Sequence, residues 1–139
     1  MLIVSALPPN VNHAVRHTRD GRHYKTKAAE DFDWQVALEW RKHDRGTIEA
    51  EHYAVDIMFQ LKAGRKGRQP DLDGLCKYAL DALVHCNIIL DDVRVTDLSL
   101  HKQQSDCDQT IYTIIALDKG STEDHPVPMQ HFDFVEPAF

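Results

Sequence analysis

Glu51-His52-Tyr53-Ala54-Val55-Asp56-Ile57-Met58-Phe59-Gln60-Leu61 alternates polar and apolar side chains, with Tyr53, Val55, Ile57, Phe59 and Leu61 on one side. Period-two alternation built on β-branched and aromatic residues predicts a half-buried strand. Downstream, Gly64 to Pro70 reads as a loop. A helix beginning near Asp71 to Asp73 carries Leu75, Ala79, Ala82 and Leu83 on one side and is ended by Asn87. Ile88-Ile89-Leu90 is a short buried run closed by Asp91-Asp92, and Val93 to Leu100 and Thr110 to Leu117 read as two further strands. The Ser105-Asp106 turn region between them predicts an antiparallel hairpin with a longish loop. Upstream, Thr26 is the expected N-cap of a helix running to about His43, its apolar stripe being Phe32, Val36 and Trp40. Residues 10–25 are polar and rich in turn formers, which predicts a long loop, and Leu2 to Leu7 is a first strand stopped by Pro8-Pro9-Asn10. The order β-α-β-α-β-β predicts an α+β domain: a mixed sheet of about four strands with two helices packed against it.

At 139 residues, 42% of them apolar and 27% charged, the chain is expected to fold as one soluble globular domain over residues 1–120. An acidic tail with Pro126, Pro128 and Pro137 follows at 121–139 and reads as irregular, with Phe132, Phe134, Val135 and Phe139 available to dock. The apolar runs are far shorter than the ~20 residues needed to cross a bilayer, and the first residues lack the basic segment of a secretion signal. Membrane and export roles are therefore not expected. Cys76, Cys86 and Cys107 are odd in number and include no C-x-x-C pair, so neither a disulfide framework nor a cysteine-based zinc site is expected. They read as small buried hydrophobes in a reducing cytoplasm.

The net charge of −6 looks unsuited to a polyanion until it is mapped. Residues 121–139 contain Glu123, Asp124, Asp133 and Glu136 and neither Lys nor Arg, so most of the excess sits in the tail. Elsewhere the bases are grouped. Arg16, Arg19, Arg22, Lys25 and Lys27 face only Asp20 within their stretch, with His13, His17 and His23 interleaved, and Lys62, Arg65, Lys66 and Arg68 occupy an acid-free segment. Local field rather than net charge steers a polyanion, so two basic loops suit DNA, RNA or a nucleotide, and equally plain solvated loops.

The informative segment is Arg68-Gln69-Pro70-Asp71-Leu72-Asp73-Gly74-Leu75-Cys76-Lys77, followed by Asp91-Asp92. One reading is structural. An aspartate before a helix is a good N-cap, first-turn acids suit the helix dipole, and Asp91-Asp92 is an ordinary turn. Lys77, four residues from both Asp73 and Asp81, would make surface ion pairs of little worth. The other reading is chemical. Mg²⁺ takes oxygen ligands and is typically held by one or two carboxylates, waters and substrate phosphate. Asp71 and Asp73 are two apart in an extended lead-in and can project to one side. The helix then returns the chain so that Asp91-Asp92 can lie beside them, one of that pair reaching the ion. Such a site suits metal-assisted phosphodiester hydrolysis, with Lys77 neutralising charge on the phosphoryl oxygens. The basic loops, Arg16, Arg19, Arg22 and Lys25 in one and Lys62, Arg65, Lys66 and Arg68 in the other, would bind flanking phosphates.

This pattern resembles the signature of the RusA-type Holliday junction resolvases, R-x-x-D-x-D-N-x-x-K-x-x-x-D-A-L followed by a short apolar stretch ending in D-D. Arg68, Asp71-Leu72-Asp73, Lys77, Asp81-Ala82-Leu83 and Ile88-x-Leu90-Asp91-Asp92 carry the likeness. Pro8-Pro9-Asn10-x-Asn12 and the basic loop after it are similar to the family's proline–asparagine segment. The likeness spans residues 3–117 in element order and is specific over 68–92. It implies a homodimeric, Mg²⁺-dependent endonuclease, with Mn²⁺ expected to substitute, that nicks four-way DNA junctions symmetrically during recombination and repair. It further implies that Asp71, Asp73 and Asp92 are the catalytic carboxylates and metal ligands, that Asp91 is the less essential member of its pair, and that Lys77 is the family's lysine. The chain departs from the pattern at Gly74, where the family has Asn, and an amide is lost there. A two-fold dimer also fits a junction that needs two cuts related by an axis.

Two readings from other classes remain at this point. The first is a branched-DNA binding protein without chemistry, its acids serving as caps and turns. The second is a small metal-dependent nucleotide hydrolase, for which neither a Nudix-like acidic helix nor paired E-x-x-E carboxylates are present. A zinc enzyme is disfavoured, because His13 and His17 lie in a loop and no H-E-x-x-H occurs.

Overall fold

The computed structural model describes residues 1–10, 15–17, 23–43, 46–64 and 69–117, with Val15–His17 and His23–Lys25 described in their backbone alone. The elements are β1 (Leu2–Val4), β2 (Val15–His17), β3 (His23–Lys25), α1 (Lys27–Arg41), β4 (His52–Lys62), α2 (Leu72–His85), a 3₁₀ turn (Asp92–Arg94), β5 (Val95–Ser105) and β6 (Gln109–Leu117). The fold is α+β, with a four-stranded mixed sheet in the order β1-β6-β4-β5 and two helices. The expected order of elements holds in that sheet. Within the stretch read as a loop, β2 and β3 add a small antiparallel ribbon, Arg16 opposite Tyr24.

The alternation in β4 is the organising feature. Tyr53, Val55, Ile57, Phe59 and Leu61 are all buried, and the residues between them are half-exposed. One face of the sheet therefore forms the core, which α1 meets with Ala29, Phe32 and Val36 and α2 with Leu75, Tyr78, Ala79, Ala82 and Leu83. Tyr112 in β6 lies in the same layer, and its buried hydroxyl donates to the Ala79 carbonyl at 2.8 Å, fastening α2 to the sheet. The helices are joined at Asp33, whose Oδ2 accepts from the Tyr78 hydroxyl at 3.1 Å and lies 3.3 Å from His85 Nδ1. Burial and the Asp33 carboxylate push the Tyr78 phenol well above its ordinary range.

Four sequence expectations are corrected. First, β5 and β6 do not pair with each other. They flank β4, which runs parallel to β5 (Ile57 opposite Leu100) and antiparallel to β6 (Ile57 opposite Tyr112). Residues 106–108 bridge the end of β4, where Lys62 N–H donates to Asp108 Oδ1 at 2.9 Å and Ala63 N–H to the Ser105 carbonyl at 2.9 Å. These bonds occupy the space a simple hairpin would close. Second, β1 stops at Val4, because the next residues turn inward and the Ala6 carbonyl accepts from Thr110 Oγ1 at 2.7 Å. Third, the 3₁₀ turn precedes β5 where a strand was expected from Val93, and Leu90 is exposed while Ile88 and Ile89 are buried. Fourth, the cysteines are not core residues: Cys76 and Cys86 are half-buried and Cys107 is exposed. The Cys86 thiol donates to the Asp33 carbonyl at 3.3 Å. The expected boundary near residue 120 and the acidic tail 121–139 lie outside the described residues.

Candidate active site

Asp71 occupies the N-cap position of α2 with extended backbone angles (φ −80°, ψ 152°), yet its side chain makes no capping hydrogen bond. Its carbonyl alone serves the helix, accepting from Leu75 N–H at 3.1 Å. The first-turn acid does the local work instead, Asp73 Oδ1 accepting from Gly74 N–H at 3.0 Å. Capping therefore accounts for one oxygen of Asp73 and leaves the exposed Asp71 carboxylate unexplained by helix formation. Lys102 on β5 donates from Nζ to the Pro70 carbonyl at 3.3 Å, which brings a cation to the residue before Asp71. No sequence motif marks this lysine. Its place follows from the parallel register, in which Lys102 lies opposite Phe59 near the end of the strand.

Asp73, Lys77 and Asp81 follow one another at four-residue spacing along one face of α2. Of its two acidic neighbours, Asp81 takes the ion pair, with Lys77 Nζ 3.1 Å from Asp81 Oδ1. Lys77 is exposed, so this pair adds little stability.

The second acidic pair is pinned from several sides. Helix α2 ends with Asn87 in the left-handed region (φ 58°), Ile88 N–H bonding to the Leu83 carbonyl at 2.9 Å and Asn87 N–H to the Val84 carbonyl at 3.0 Å. Ile48 N–H then bonds to the Ile88 carbonyl at 2.8 Å. The Tyr53 hydroxyl bonds to the Ile48 carbonyl and accepts from Leu90 N–H at 3.2 Å. Arg94 Nη1 donates to the Ala50 carbonyl at 3.0 Å on the far side of the turn. Between these ties Asp91 caps the 3₁₀ turn, its Oδ1 accepting from Val93 N–H at 3.2 Å. That bond and the Asp92 side chain hold the Asp91 carboxyl below the ordinary range, while hydrogen bonding to Asp91, burial and the Asp91 charge push Asp92 above it. Lys77 pulls Asp92 down and Asp81 pushes it up, so the turn and the α2 face share one electrostatic environment.

The donors are hard carboxylate oxygens from two stretches, the right chemistry for Mg²⁺ and the wrong one for soft metals. Among the described residues no three His, Cys, Asp or Glu side chains stand together at metal-holding distance. Two carboxylates, water and phosphate suffice for Mg²⁺, and Asp71 with Asp73 provides such a pair in kind.

Of the basic residues expected to bind DNA, Lys62 is exposed at the end of β4. Arg16 and Lys25 lie on the facing strands β2 and β3, with Arg16 opposite Tyr24 and Lys25 opposite Val15. Arg19, Arg22, Arg65, Lys66 and Arg68 lie outside the described residues. A model of the endodeoxyribonuclease RusA family matches residues 6–115. The chain belongs to that family. The match takes in α1, β4, α2 and β5 and both acidic stretches, and RusA membership makes the protein an endonuclease of DNA. No curated protein matches the chain. No described helix is long and apolar enough to cross a membrane.

Proposed function

We propose that this RusA-family chain is a Mg²⁺-dependent, homodimeric endonuclease that resolves four-way DNA junctions by paired symmetric nicks in recombination and repair, acting in the cytoplasm. The observation that carries the reading is the family match over residues 6–115, within which Asp71 stands at a helix start without serving as its cap. Asp71 and Asp73 would hold the cation, with Asp92, backed by Asp91, joining them as it binds and Mn²⁺ able to take the place of Mg²⁺. When bound, the cation polarises the phosphate and lowers the pKa of a water ligand. Lys77 offsets charge developing on the phosphoryl oxygens. Lys62, Arg65, Lys66 and Arg68, with Arg16, Arg19, Arg22 and Lys25, hold phosphates on either side of the cut and fix the junction's register. Two copies related by a two-fold axis present two such sites to a junction that has its own pseudo-two-fold axis.

The test is a labelled four-way junction beside a linear duplex of the same sequence, each with Mg²⁺ and with EDTA. Paired, ligatable nicks confined to the junction and dependent on Mg²⁺ are expected. Binding that is the same in both conditions, with no nicked product on long incubation, would make the protein a binder of branched DNA instead.

A further inference from the structure

The space over Gly74 is filled by the side chain of Asn10. A Cβ built on it would stand 2.6 Å from Asn10 Nδ2 and 3.2 Å from Asn10 Cγ. Its φ is not in the left-handed region, so the backbone does not call for glycine; any larger residue would have to displace the Asn10 carboxamide. Glycine inside a helix is disfavoured against alanine, and here the lost propensity is matched by the close seat that it gives Asn10. Gly74 is buried, between exposed Asp73 and buried Leu75, and the Asn10 carboxamide is part of its cover. The same glycine donates its N–H to Asp73 Oδ1 at 3.0 Å. Asn10 itself is delivered from the Pro8-Pro9 corner, where Pro8 is buried. A carboxamide from the far N-terminal segment thus rests on the residue whose N–H bonds to the second acid of D-x-D.

We propose that Asn10 is a positioning residue of the D-x-D site, its side chain seated on Gly74 so that the first turn of α2 holds Asp73 in place and a neutral hydrogen-bonding group stands beside the acids. The inference rests on the nuclease reading for its functional half, and its structural half stands on the Asn10–Gly74 contact alone. Groups that orient a metal ligand are commonly worth about 10- to 100-fold in affinity or activity.

The experiment compares the wild type, Asn10→Ala, Gly74→Ala and the double variant by thermal melting, Mn²⁺ titration calorimetry and junction cleavage. Gly74→Ala is expected to lower the melting midpoint by about 3 °C or more in the wild-type background and to raise it in the Asn10→Ala background. Asn10→Ala is expected to bind the junction in EDTA within about twofold of wild type, and to lose roughly tenfold in both Mn²⁺ affinity and cleavage. A rise in melting midpoint for Gly74→Ala alone would overturn the contact. Unchanged Mn²⁺ affinity and cleavage in folded Asn10→Ala would overturn the positioning role. If the wild type binds Mn²⁺ but leaves the junction intact, the nuclease reading fails while melting and Mn²⁺ titration still decide the role of Asn10.

Discussion

Asp71 is a helix-capping residue in position and not in bonding, and that separates the two roles its letter can play. A carboxylate that only capped α2 would be replaced by Asn at little cost, because Asn caps as well as Asp does. One that holds a cation would be missed as lost chemistry. Asp71→Asn, Asp73→Asn and Asp92→Asn are each expected to abolish junction cleavage while leaving junction binding in EDTA within a few-fold of wild type, measured by gel shift beside a nicking assay. Wild-type cutting by Asp73→Asn would remove the metal-site assignment. Asp92 also gives a pH signature. Its carboxyl is raised chiefly by the hydrogen bond to Asp91, then by burial and by the Asp91 charge. Asp91→Asn removes the charge and leaves a donor, so the Asp92 carboxyl should titrate at lower pH. Asp92 ligates only when ionised, so the rising limb of cleavage against pH should move the same way. Carboxyl-carbon NMR titration checks the first statement; an unmoved Asp92 would contradict it.

At the scale of elements, the ends of α2 matter as much as its face. Asn87 has φ 58°, which L-residues other than Asn and Asp rarely adopt and which glycine adopts freely. Asn87→Gly should be neutral or slightly stabilising, whereas Asn87→Val should cost about 1–2 kcal/mol by urea denaturation. Equal stability of the two variants would mean that the left-handed closure is unimportant. This stop was legible in the sequence, as were the Thr26 cap, whose Oγ1 accepts from Ala29 N–H at 3.4 Å, and the alternation of β4. Each is written in residues a few positions apart, where local sterics and burial act alone. The nearness of Lys102 to Pro70 and of Asn10 to Gly74 was not legible. Both depend on register between segments far apart in sequence, and neither side chain has a local pattern to betray it. The D-x-D motif itself could be read, but its letters suit a cap and a metal site equally; only the bonding of Asp71 distinguishes them.

For the whole molecule, the neighbour relations of the sheet were the least predictable feature. Consecutive strands usually pair, and β5 with β6 would have done so if β4 did not already lie between them. Stability should follow this arrangement. Ile57, fully buried on the central strand, should lose about 2–5 kcal/mol on replacement by Ala. Leu98 on the edge strand is 42% exposed and should lose under about 1 kcal/mol by the same measure. Comparable losses at the two positions in chemical denaturation would contradict a core centred on β4.

The pairing of Leu2 with Tyr112 and of Val4 with Thr110 has a consequence for the order of folding. Among the described residues, β1 has its sheet neighbour in β6, far along the chain, and contacts of such long sequence separation form late. Until β6 is in place, β1 has no strand to pair with and β4 keeps one side open. The tie from the Tyr112 hydroxyl to Ala79 arrives with β6 as well, so the helix that carries Asp73 is fastened at the same late step.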